Sequence, residues 1–180
     1  MQRRQDMDRE TARKIYIMLD SGLIWYKHYY LWCDSIIEKL EVPPIWIIDL
    51  STAKYIGDAK EIVSEYAFSF DETVYVFDLM KHNRHFLACL YLRYERKEIS
   101  WATFLNEAGK YSDSYDCGVD CEYFFEMLTN YGDSLYSPNL EKSQSIEVES
   151  LIRDSITNIS KLYNEFHKYF IRFVEKCNKF

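Results

Sequence analysis

The sequence predicts an all-α fold: a single-domain bundle of about seven or eight helices ending in a long C-terminal helix. Three observations predict it. Only 5 Gly and 3 Pro punctuate the 180 residues, apolar residues recur at spacings of three and four, and no pair of alternating runs is bounded by turn residues. A chain of this length holds one sizeable core. With 48% hydrophobic residues, 16 Tyr and 11 Phe, it buries enough apolar area to offset its ordering entropy.

The first helix is expected from about Asp8 to Asp20, with Ile15, Met18 and Leu19 inward, Asp8 and Glu10 at its positive end, and Ser21-Gly22 as a left-handed stop. Residues 25 to 41 form the second, with Tyr29, Trp32, Ile36 and Leu40 on one stripe. Pro43-Pro44 ends it and offers a first-turn residue to the next. Ile45 to Leu50 is apolar except for Asp49 and reads as a buried strand or a helix. Helix is preferred, because Ser51-Thr52-Ala53-Lys54 continues without a turn signal.

Asp58 is the expected N-cap of a helix over 59–68, with Ile62, Val63 and Tyr66 inward. Asp71 or Thr73 opens a longer helix to about Glu95, whose inward stripe is Val76, Leu79, Met80, Asn83, Phe86, Leu87, Leu90 and Tyr94. Ser100 caps a further helix through Trp101, Phe104 and Leu105, and a loop is expected around Ser112 to Gly118. A short helix follows from Asp120 to about Tyr131, and Tyr131 to Ser145 reads as the clearest loop of the chain. The last helix carries Val148, Ile152, Ile156, Ile159, Tyr163, Phe166, Phe170, Phe173 and Cys177 on one stripe, with no Gly or Pro from Ile146 to Cys177.

Compartment and partners follow from the bulk features. The N-terminal MQRRQDMDRETARK has no apolar stretch of the kind a secretory signal needs, and the longest apolar run, Phe86 to Leu92, is far short of a bilayer span. Five Cys, an odd number, suit free thiols in a reducing compartment, so a cytoplasmic protein is expected. A net charge of −7 disfavours nucleic acid and anionic membranes and favours basic partners.

Chemistry-bearing motifs are few. Asp78, His82, His85 and Cys89 lie at spacings of four, three and four on what the wheel assigns as the outward face of the long middle helix, a candidate metal set. Lys81, Arg84, Arg93 and Arg96 on the same helix oppose a dication, and a partner-facing or solvated helix is the plainer reading. Cys117 and Cys121 have no second cysteine pair to complete a zinc site, and acidic neighbours that raise a thiol pKa. Gly118 at the sixth position of a calcium loop would put Tyr115 and Cys117 on ligand positions and Phe124 where the bidentate Glu belongs, so that reading fails. No GxSxG elbow or phosphate-cradling glycine loop is present, and no cofactor is expected. With His at 28, 82, 85 and 167, an acid-base pair would draw on Asp34 or Asp49, which flank the Pro-Pro break, but capping helices or bonding within the core is the plainer expectation for both.

Charge segregation is the feature that points to function. From Tyr111 to Asp133 there are six acids (Asp113, Asp116, Asp120, Glu122, Glu126, Asp133), no Lys or Arg, and Tyr111, Tyr115, Tyr123 and Tyr131 between them. Tyrosine supplies amphipathic contact area and clustered acids steer a basic partner, so Asp113, Tyr115, Asp116, Asp120, Glu122, Tyr123 and Glu126 form a candidate partner-binding patch.

Around YIMLDSGLI and WCDSIIEKLEVPPIWIIDLS, over about residues 12 to 55, the chain resembles a bacterial family of small, uncharacterised helical proteins. Some of them look like immunity proteins encoded beside polymorphic or contact-dependent toxins. The positions that carry the resemblance are Trp32, Asp34, Pro43, Pro44 and Asp49, and none implies catalysis. What the resemblance implies is a cytoplasmic, non-enzymatic protein that binds and neutralises a toxin. The alternatives are a small helical metal-dependent hydrolase using the Asp78, His82, His85 and Cys89 face, or a structural or regulatory subunit pairing through its C-terminal helix.

Overall fold

The computed structural model describes residues 9–69 and 78–177. All regular structure among them is helical: α1 (Arg9–Asp20), α2 (Tyr26–Lys39), α3 (Ile45–Thr52), α4 (Ile56–Ala67), α5 (Leu79–Glu95), α6 (Trp101–Ser114), α7 (Cys121–Asp133) and α8 (Pro138–Cys177). The chain divides into two compact units, residues 1–75 with 161–180, and residues 76–160. The expected caps Asp71 and Thr73, the expected core position Val76, and Asp8 lie outside the described residues. No described helix is long and apolar enough to cross a membrane.

In the first unit α1 packs on α4, and α3 packs on both α2 and α4. α1 buries Ile15, Met18 and Leu19 as its periodicity requires, together with Ala12 and Ile17. It ends where Gly22 turns left-handed (φ 72), and Leu23 N–H then bonds to the Met18 carbonyl and Gly22 N–H to that of Leu19, a paired closure that satisfies two terminal carbonyls. α2 buries Tyr29 and Trp32, the latter ring 4.7 Å from Phe166 in the last helix. α3 is helical, as preferred, with Pro44 at its N-cap rather than in its first turn. Asp58 does not cap α4: Tyr55 holds that position and Asp58 sits in the first turn, where a carboxylate still complements the positive end. Ala59, Val63 and Ala67 form the buried face of α4, and Tyr66 stacks on Trp46 at 5.0 Å.

The second unit is built from α5, α6, α7 and the first part of α8. Its core joins Leu87, Leu90 and Tyr91 of α5, Trp101, Phe104, Leu105 and Ala108 of α6, Phe124 and Met127 of α7, and Val148 and Ile152 of α8. A buried polar relay runs through it. Trp101 Nε1 donates to Gln144 Oε1 at 2.8 Å, and Gln144 Nε2 donates to the Met127 carbonyl at 2.9 Å, so the amide that enters the core is bonded at both ends.

Further boundaries differ from expectation: α6 runs to Ser114, inside the loop expected over 112–118. The segment read as a loop over 131–145 is loop only over 134–137, because Pro138 opens α8. Its fixed φ and missing N–H suit a first helical position, where that N–H has no partner to lose. α7 closes without a glycine: Leu135 (φ 55) and Tyr136 (φ 60) turn left-handed, while Tyr136 N–H reaches the Tyr131 carbonyl and Leu135 N–H that of Gly132. α8 is also not one uniform rod, since Ile152 departs from helical geometry (φ −114, ψ 15) although no Gly or Pro is near.

Candidate functional site

The acidic run covers the end of α6, the turn over 115–120 and α7 in the second unit. Asp120 is the N-cap of α7, accepting from Glu122 N–H at 3.0 Å. Ser100 does the same for α6. On α7, Glu122, Glu126 and Asp133 fall within about 40° of one another on the wheel, and all three are exposed. Asp113, Asp116 and Asp120 are exposed as well, and Cys121 Sγ lies 3.7 Å from Asp113 Oδ1, which joins the two groups. None of the six acids takes part in an ion pair among the described residues.

The turn is held by hydrogen bonds to its backbone instead. Gly118 N–H donates to Asp116 Oδ1 at 2.9 Å, an Asx-type closure. Gly118 itself is left-handed (φ 67), and a methyl group there would meet the Arg84 guanidinium and the Met80 sulfur. From α5, Asn83 Nδ2 donates to the Asp116 carbonyl at 3.0 Å. Arg84 Nε donates to the Cys117 carbonyl at 3.0 Å, and its terminal nitrogen reaches that of Gly118 at 3.4 Å. Arg84 is the residue that sequence reasoning missed. It lies 33 positions from Cys117, and nothing in a local pattern links the two.

The tyrosines divide by role. Tyr115 is 53% exposed and leans on Tyr111, which stacks on Phe86 at 3.8 Å. Tyr123 is half-buried and donates to Glu147 at 3.0 Å. Tyr131 is core, its hydroxyl bonded to Glu141, which also accepts from Tyr94 at 2.8 Å. Tyr115 and Tyr123 therefore belong to the surface, whereas Tyr131 does not.

Beside the turn lies an open groove of about 670 Å³ between Val119, Asp120 and Tyr123 on one side and Ile146, Glu147 and Leu151 on the other. A second depression, about 510 Å³, sits on the α7 face among Glu122, Phe125, Glu126, Thr129 and Asn130.

The other candidates come out differently. His82, His85 and Cys89 are buried rather than on an outward face, and Asp78 is the N-cap of α5, accepting from Lys81 N–H at 2.9 Å. α5 is covered on more than its predicted stripe: Ala88 and Leu92 are buried too, while Leu79 and Met80, assigned inward, are 58% and 43% exposed. Among the described residues no group of three or more His, Cys, Asp or Glu is placed to hold a metal ion. Burial pushes the Cys117 thiol up to about 11. Cys121 is raised by desolvation and then by Asp120 and Asp113. Neither is poised as a thiolate. Asp34 and Asp49 are interior residues of α2 and α3 rather than caps. His28, at the third position of α2, accepts from Trp25 N–H at 3.3 Å through Nδ1 and stacks on Phe170 at 4.6 Å, a packing role. α8 runs about one turn past Phe173.

Among the described residues, fold and surface together define an all-α protein with an acidic face whose six carboxylates join no ion pair. No protein-family model, curated protein or solved structure matches the chain.

Proposed function

We propose that this chain is a protein-binding module, working in the cytoplasm, that engages a basic partner through the acidic face of α6, the 115–120 turn and α7. In keeping with the resemblance of residues 12 to 55 to immunity-type proteins, the partner is a bacterial toxin domain, which the chain neutralises by binding and not by catalysis. The observation that carries the reading is the set of six exposed carboxylates with no ion pair among the described residues, in a chain of net charge −7. Carboxylates without counter-charges are free to meet Lys and Arg of a partner, and those that line a nuclease cleft are met by acids as they are by phosphates. Residues 12 to 55 belong to the first unit and the acidic face to the second, so the resemblance does not itself reach the acidic face.

The test begins with recovery of the partner by affinity capture from host lysate, followed by association kinetics of the purified pair. Asp113→Asn, Asp116→Asn and Asp120→Asn together keep the Asx turn and the α7 cap, since Asn performs both roles. They should lower the association rate about tenfold at low salt and flatten its salt dependence. Unchanged kinetics would remove this face from the interface.

A further inference from the structure

Resting on that reading, we infer that the groove between the 115–120 turn and α8 receives an amphipathic basic segment of the partner, apolar side chains inside and Lys or Arg at its edges. Part of the lining is apolar: Ile146 is 55% exposed and Leu151 41% exposed, and Val119 and Tyr123 line the groove with them, beside Gly118 and Ser150. These side chains offer a small apolar foothold with charge next to it.

What covers it is set by the rim. Asp120 and Glu147 line the groove and no basic residue does. Both carboxylates are oriented by neutral donors: Asp120 by the Glu122 N–H and Glu147 by the Tyr123 hydroxyl. Neither joins an ion pair among the described residues, so neither has a cation already seated on it. Arg84, the cation that reaches Gly118, has its guanidinium committed to two backbone carbonyls. A segment that is only apolar would leave these carboxylates beside greasy surface with no partner, at a desolvation cost. One that is only basic would leave Ile146 and Leu151 wet. A segment with both satisfies each group, and the acidic face around it draws the cationic end in.

The probes are a labelled amphipathic peptide of leucine and lysine and an oligolysine of the same charge, each titrated into the full-length chain at two salt concentrations. The leucine-containing peptide should bind about tenfold tighter than oligolysine, the gain expected from burying two exposed aliphatic side chains. Ile146→Ser with Leu151→Ser should abolish that advantage while leaving oligolysine affinity unchanged. Both positions are solvent-facing, so the double variant stays folded. Glu147→Gln, which retains an oxygen for the Tyr123 hydroxyl, should weaken both probes. Equal affinity of the two peptides, or an advantage that survives the double variant, would overturn the groove while leaving the acidic face intact. Failure of both peptides to bind, or oligolysine binding indifferent to Asn at 113, 116 and 120, would overturn the acidic-face reading itself.

Discussion

Arg84→Met isolates the pin that holds the acidic turn in place, because methionine keeps the apolar stem and removes only the guanidinium. With the guanidinium go one charge-assisted bond at 3.0 Å to the half-buried Cys117 carbonyl and a longer one at 3.4 Å to the exposed Gly118 carbonyl. A bond to a charged donor contributes about 1.5 kcal/mol at the low end of its range, and the longer, exposed one adds about 0.5 kcal/mol at most. Anchoring of about 2 kcal/mol corresponds to a roughly 30-fold change in the opening equilibrium of the turn. Hydrogen exchange at the Gly118 amide, whose N–H is bonded to Asp116 Oδ1, reads that opening directly. It should accelerate by about 10- to 30-fold, with much smaller changes in the buried stretch of α6, since openings of a turn are local. The same substitution takes net charge from −7 to −8, so a basic probe should associate faster even as the turn loosens. Exchange at Gly118 that does not change would refute the idea that Arg84 is what orders the site.

Other consequences are independent of that turn. Gln144→Leu strands the Trp101 indole N–H in the core and should cost about 2 kcal/mol by urea unfolding; combining it with Trp101→Phe should cost less than the sum of the two, because the stranded donor is then gone. Lys97 (φ 60) and Leu135 (φ 55) each close a helix in the left-handed region, so Lys97→Gly with Leu135→Gly should stabilise the protein by about 1–2 kcal/mol in thermal or urea melts. Tyr94 is pushed up to about 12 by burial and by Glu141, and Tyr131 to about 12 by its hydrogen bond to Glu141. The unfolded chain ionises these phenols near 10, so the folded form binds more protons above that pH. Stability present below about pH 10 should therefore drain away between about 10 and 12, with tyrosinate absorbance rising in step with loss of helix; absorbance that rises first, with helix intact, would contradict this.

Helix boundaries were not legible for one uniform reason: α5 and α8 stop at Glu95 and Cys177 as expected, whereas α4 and α8 start at Ile56 and Pro138, ahead of the expected 59 and 146. Ser100 and Asp120 announce α6 and α7 because a side-chain oxygen at the N-cap is a chemical requirement, visible in the residue type. The stops at Lys97 and Leu135 use the same backbone closure as Gly22, with Glu98 N–H reaching Arg93 and Tyr136 N–H reaching Tyr131. Neither carries a glycine to betray it. The strain of a left-handed Leu or Lys, about 1 kcal/mol, is small beside the packing of the helices it joins, so tertiary structure decides the turn and composition does not record it. That is also why 131–145 read as loop: Gly132, Pro138 and the serines look like breakers, yet Gly132 lies inside α7 and Pro138 begins α8. For α5 the error was of another kind. A helical wheel assumes one wet face, but His82, His85, Ala88 and Cys89 are buried along with Leu87 and Leu90, and polar residues on a covered helix imitate an exposed cluster. The acidic run, by contrast, was legible as composition, and only its fixing by Asn83 and Arg84 required three dimensions.

The acids of the turn serve two purposes that pull on the same atoms. Asp116 and Asp120 each give a carboxylate oxygen to a backbone N–H, which shapes the turn and starts α7. A cation in contact with either carboxylate would compete for those oxygens and would also cancel the field the surface presents. Arg84 avoids the competition by binding carbonyls, so it orders the turn and leaves both carboxylates to their backbone donors, while its charge still subtracts from the field. Asn in place of these two aspartates keeps the turn and discards their charge, whereas Arg84→Met keeps the carboxylates, makes the net charge one unit more negative and releases the turn. If recognition depends on a fixed pattern of charge, both changes weaken binding of a structured basic partner; if it depends on charge alone, Arg84→Met strengthens it. Comparing the two variants against one partner, at matched ionic strength, separates preorganisation from simple attraction.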